Sequence, residues 1–171
     1  FRLEDGNQNT NFVLTSNTNG EGTWKPVAAT RIVGTLGAGV DVPFKTIDAK
    51  YQKTGSYIEL PPGRWEVRVT MLMPVGGVLS DGGGTMTVND WVWLKTTFST
   101  VNATTIVESQ ISSDIEGASL VSNLFFGPKL VSDEPKFNML NGSVIINNTT
   151  TATKRYYYYA GNTDSQEYTT G

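Results

Sequence analysis

From Arg64 to Met73 the chain reads Arg-Trp-Glu-Val-Arg-Val-Thr-Met-Leu-Met, which sets Trp65, Val67, Val69, Met71 and Met73 against Glu66, Arg68 and Thr70 with a period of two. Successive side chains point to opposite faces only in an extended backbone, so this order dictates a strand with one face buried. Pro61-Pro62-Gly63 stands just ahead of it. Proline cannot continue a ladder and glycine supplies unusual backbone angles, so a turn is predicted there, with residues 56–60 as the preceding strand.

The same reading extends along the chain. Residues 91–98, Trp-Val-Trp-Leu-Lys-Thr-Thr-Phe, are rich in aromatic and β-branched side chains and follow the glycine loop at 80–84, which predicts another strand. Leu124-Phe125-Phe126 is stopped by Gly127-Pro128. Residues 137–140 and 143–146 flank Asn141-Gly142. That dipeptide favours a tight hairpin turn, or else the glycine marks a bulge inside one long strand. Residues 154–159 form the last strand, while 105–120, with Ser112-Ser113-Asp114 and Gly117, reads as a loop.

Many short strands, no helix of ordinary length and 18 glycines predict an all-β sandwich or barrel. A chain of 171 residues suits one ordinary domain plus a short extension, enough to bury a core without staples. Thirteen Lys and Arg against sixteen Asp and Glu argue against nucleic acid or an anionic membrane held by bulk charge. No apolar run is long enough to span a bilayer as a helix. A chain that opens on Phe1 reads as a piece of a longer protein, so export stays open.

The N-terminal stretch Asp5-Gly6-Asn7-Gln8, followed by Val13-Leu14-Thr15-Ser16-Asn17-Thr18-Asn19-Gly20-Glu21-Gly22-Thr23-Trp24, alternates small polar turn-formers with the apolar anchors Val13, Leu14 and Trp24. It cannot bury a core alone but can pack on identical copies of itself. It resembles the connector that recurs in long bacterial surface and phage tail-fibre-like proteins, ahead of globular heads of the complement and tumour-necrosis-factor type. Asn17 stands where that family usually has Asp, and Phe12 is bulkier than usual. Residues 56–69, an apolar strand, Pro-Gly, an aromatic and an alternating strand, are similar to the core of those heads. The resemblance implies a connector over 1–37, a jelly-roll head of antiparallel strands over 38–171 and a homotrimer. It further implies an extracellular place on a cell, virion or fibre surface, with a receptor or glycan as partner. Family heads end in a strand that returns to the centre of a sheet. Here the polar residues 161–171 predict an edge strand at most, or a closing strand lent by a partner, as in a filament subunit joined by segment exchange.

Histidine and cysteine are both absent, which removes the commonest general base, the commonest metal ligand and any disulfide. Asp41, Asp48, Asp81, Asp90, Asp114, Glu116, Asp133 and Glu134 fall singly or in loops with no nucleophile or acid partner spaced to match, so no catalytic residue is assigned and a non-enzymatic protein is expected. Asp81 and Asp90 offer the hard oxygens that calcium takes, but without the twelve-residue loop and its terminal glutamate; a solvated glycine turn and no cofactor are expected. Sequons at Asn102, Asn141, Asn147 and Asn148 arise readily in a chain rich in Thr and Asn.

The candidate ligand or interface residues are aromatic. In a strand, Tyr156 and Tyr158 face one way and Tyr157 and Tyr159 the other, which places at least one pair outside the core or across a subunit boundary. Trp91 and Trp93 share one face. Such rings suit subunit seams as well as stacking on sugars, and one of these sets is expected to be the interface.

Overall fold

The computed structural model describes residues 3–26, 31–42, 49–75, 91–126 and 136–166. The chain divides into two compact units, Phe1–Ile32 and Val33–Gly171. The first holds a two-stranded hairpin of β1 (Phe12–Ser16) and β2 (Gly22–Pro26), with Leu14 opposite Trp24 and Phe12 opposite Pro26. Its loop is tied by Asn17, whose side-chain oxygen accepts from the amides of Asn19 at 2.9 Å and Glu21 at 3.0 Å. Such side-chain capture of nearby amides is what favours Asn in turns.

The second unit is all-β and sandwich-like. Its strands are β3 (Tyr51–Leu60), β4 (Gly63–Val75), β5 (Trp91–Ser99), β6 (Thr105–Ile106), β7 (Ile115–Glu116), β8 (Val121–Phe126), β9 (Lys136–Asn148) and β10 (Lys154–Gln166). A five-stranded antiparallel sheet runs in the order β6-β3-β10-β5-β8, and a three-stranded antiparallel sheet in the order β4-β9-β7. Residues 33–39 lie beside β3, where Thr35 and Tyr57 exchange backbone hydrogen bonds at 2.7 and 2.9 Å.

The alternation in β4 emerges as expected: Val67 and Met73 are buried, while Glu66, Arg68 and Thr70 are exposed. Leu140, Val144 and Ile146 of β9 join them, and the other sheet supplies Ile58, Leu60, Val92, Leu94, Phe98, Tyr156 and Tyr158. Each large side chain buried in this way contributes about 1.5–3 kcal/mol, which outweighs any local preference of the turns between them.

Two expectations need correction. Asn141-Gly142 is neither a hairpin turn nor a bulge, because β9 runs straight through it, with Asn141 opposite Thr70 and Gly142 opposite Val69 in unbroken register. The glycine is required by the other sheet: a Cβ at position 142 would lie 2.7 Å from Cγ1 of Val121, closer than carbon atoms pack. The polar stretch after Tyr159 is not an edge strand either. As far as Gly161, β10 lies between β3 and β5, and Asp164 to Gln166 continue it along β5, so the chain itself fills the centre of its larger sheet. Asn162 and Thr163 fall at an irregularity between the two stretches paired with β5, where Asn162 takes a φ of +43° and its amide donates to the Lys50 carbonyl at 2.8 Å. Across from Tyr158, β3 carries an irregularity at Thr54, Gly55 and Ser56, and Gly55 takes a φ of +83° that other residues rarely adopt.

Candidate functional site

The four tyrosines of β10 alternate between the two faces of the five-stranded sheet. Tyr156 and Tyr158 point into the sandwich. Tyr158 is nearly fully buried and packs on Phe98 with ring centres 5.0 Å apart. Burial pushes its phenol up to about 12. Its hydroxyl is sealed from solvent and makes no hydrogen bond, while neighbouring Thr96 gives its own proton to the Val121 carbonyl at 2.8 Å. Tyr156 is fully buried, and its hydroxyl donates to Oδ2 of Asp114 at 2.6 Å. Lys154 pairs with the same oxygen. Burial opposes the charge on Asp114, but the hydrogen bonds from Lys154 and Tyr156 prevail and hold its carboxyl below the usual carboxylate range. Burial first, then Asp114, pushes the Tyr156 phenol upward.

Tyr157 and Tyr159 point to the outer side of the same sheet, where the stretch between β5 and β8 crosses them as a strap. Tyr159 is fully buried there with Tyr51 and Ile106, and Ala103, Ile111, Leu120 and Tyr157 pack around them. The Tyr159 hydroxyl sits 2.7 Å from the Val101 carbonyl and 2.9 Å from that of Ala103, and accepts from the Ala103 amide at 3.2 Å. Thr97 donates to the Ser119 carbonyl at 2.7 Å and Ser99 to that of Gln110 at 2.5 Å. Every one of these bonds joins an outward side chain of the sheet to strap backbone, so buried hydroxyls satisfy a loop that has little regular structure of its own.

Farther along the same outer face, the strap among the described residues no longer covers the sheet. Trp93 stays 42% exposed and faces Leu124, itself 40% exposed, directly across from β8. Trp91 lies two residues before Trp93 on this face and is half-buried. Lys95 places its ammonium 4.5 Å from the Trp93 ring centre. At the opposite end of the face, the Arg155 guanidinium lies 4.1 Å from the Tyr57 ring and pairs with Glu59 at 2.9 Å, while the Lys53 ammonium lies 5.2 Å from the Tyr157 ring. Thus Trp91 and Trp93 come together with Leu124, but not with Tyr157. From Trp93 to Ser99, which is opposite Tyr157, six residues of strand span about 20 Å, and the strap lies between.

In the first unit, Leu14 and Trp24 share one face of the hairpin with Phe12 and Pro26, while Val13 points the other way with Lys25, Thr15 and Thr23. The Trp24 indole donates to the Leu3 carbonyl at 3.3 Å. Val13 and Leu14 are both exposed, at 44% and 46%.

Between the sheets a cleft of about 1040 Å³ runs along β4 and residues 33–42, lined within by Val67, Met73, Val92, Leu94 and Phe98. Among the described residues, Asp41 and Arg68 are the charged side chains along it. Among the described residues no three carboxylates gather into a metal-binding group, and Asp81 and Asp90, the candidate calcium ligands, lie outside them. No described helix is long and apolar enough to cross a membrane. Sequence reasoning missed the Asp114–Lys154–Tyr156 cluster, in which Asp114 lies 40 residues from Lys154 and 42 from Tyr156 with no shared motif. Comparison with family models, curated proteins and solved structures finds no match to this chain.

Proposed function

We propose that the chain is a non-enzymatic head of a homotrimeric fibre or surface adhesin, a jelly roll whose subunits meet through the outer face of the five-stranded sheet and which presents its loops to a cell-surface receptor or glycan. The order of pairing supports the jelly roll. β3 pairs with β10, β4 with β9 and β5 with β8, first with last and inward, while β3, β4 and β5 alternate between sheets. An antiparallel ribbon folded over itself in this way gives two interlocked Greek keys.

The observation that carries the seam is the bare end of the outer face. An exposed Trp beside an exposed Leu, next to a half-buried Trp, on a five-stranded sheet is the composition of an interface core rather than of a solvated surface. Stacking of a sugar is disfavoured here, because Lys95 already occupies one side of the Trp93 ring, as Arg155 does for Tyr57 and Lys53 for Tyr157. A glycan partner therefore falls to other surfaces of the head. Sedimentation equilibrium across a dilution series tests the reading: a species of three times the 18.6 kDa chain mass is expected, and a monomer at every concentration would contradict it.

A further inference from the structure

The hairpin of the first unit is two-faced in a way its sequence does not announce. Val13 and Leu14 are neighbours of nearly equal exposure, yet the register sends Leu14 to a face with Phe12, Trp24 and Pro26, and Val13 to a face with Thr15, Thr23 and Lys25. Two strands alone are marginal in water, and a unit of this size buries too little surface to stand unaided. Its uncharged face retains an exposed Leu14 and a half-buried Trp24.

We infer that this face, centred on Leu14 and Trp24, docks on the same face of further copies of the chain and forms the start of a stalk. A second copy suits it because the strand residues of this face carry no ionisable side chain, so bringing identical strand faces together sets no like charges of theirs in opposition. The one nearby cation of the strand pair, Lys25, lies on the other side, where it stays in water. The inference rests on the trimeric reading of the head and adds which hairpin face turns inward.

The absence of cysteine makes the test clean, since any thiol added is the only one present. Leu14→Cys and Val13→Cys are made separately in the full chain, treated at high dilution with a short bismaleimide, and run on denaturing gels beside a sedimentation measurement of each sample. The expected result is covalent dimers several-fold more abundant for Leu14→Cys than for Val13→Cys. Equal or reversed cross-linking overturns the inference. Absence of cross-links in a sample that sediments as a trimer also overturns it and leaves the head reading standing, whereas a monomeric sample removes both. If the face is instead covered by its own chain, Leu14→Cys stays uncross-linked and reacts more slowly than Val13→Cys with a monofunctional maleimide, which again overturns the inference.

Discussion

The two halves of one sheet face make the instructive comparison. Around Tyr159 the outer side of the five-stranded sheet is covered by the chain's own strap and its hydroxyls are consumed by strap carbonyls. Around Trp93 the same side, on the neighbouring strand, carries equally large apolar groups with no comparable cover among the described residues. Aromatic content alone therefore does not tell a covered face from an exposed one. The distinguishing feature is how far the described residues of the subunit cover the rings and take up their hydroxyls.

The largest effect expected from breaking this contrast is at Tyr159. Replacing it with Ala removes a fully buried ring and three contacts to strap backbone, and should cost about 3–5 kcal/mol in urea unfolding followed by circular dichroism. Tyr159→Phe keeps the ring and should cost about 1–3 kcal/mol, because strap groups lose their partner. A loss no greater than at an exposed site would mean that the strap does not hold the sheet.

On the inner side of the same sheet, Val121 faces Gly142 of β9, whose missing side chain lets it approach. Gly142→Ala should destabilise by about 1–3 kcal/mol through overpacking, and Val121→Ala in the same chain should recover part of that loss. Additive losses in the double variant would show that the two positions do not press on each other.

A smaller effect is expected from pH at the end of the sandwich closed by Asp114. Its folded carboxyl titrates below the ordinary value of 3.8, so it contributes stability above that value and loses it as pH falls toward the folded one. Tyr156 and Tyr158 are raised above 10, so their contribution is present below pH 10 and is lost as pH rises through the folded values. Thermal unfolding between pH 2 and 5 should show the acid loss in the natural chain and a reduced one in Asp114→Asn. The smallest effect on folding is expected at the bare end, where Trp93→Ser should change the stability of the isolated subunit by no more than about 0.5 kcal/mol.

Much of the strand order was legible because half-buried strands write their faces into the sequence, as Trp65 to Met73 does. What was not legible was set by distant contacts. Asn141-Gly142 carries a turn signal, yet its glycine answers to Val121, some twenty residues away and in the other sheet. Asp164 to Gln166 lack strand composition and are held in the sheet by their pairing with β5. The tyrosine cluster could be divided into two faces from its period, but which face the strap covers depends on carbonyls of Val101, Ala103, Gln110 and Ser119, and backbone groups leave no trace in side-chain identity. The hairpin anchors were likewise visible as apolar residues, whereas the separation of Val13 from Leu14 follows from register alone.

The most direct measurement compares the natural chain with the double variant Trp93→Glu, Leu124→Glu by light scattering coupled to size exclusion, with thermal melting recorded on both. The seam assigned to the bare end predicts a natural chain at three times 18.6 kDa and a variant at 18.6 kDa that still melts cooperatively. A folded variant that keeps the mass of the natural chain would contradict it.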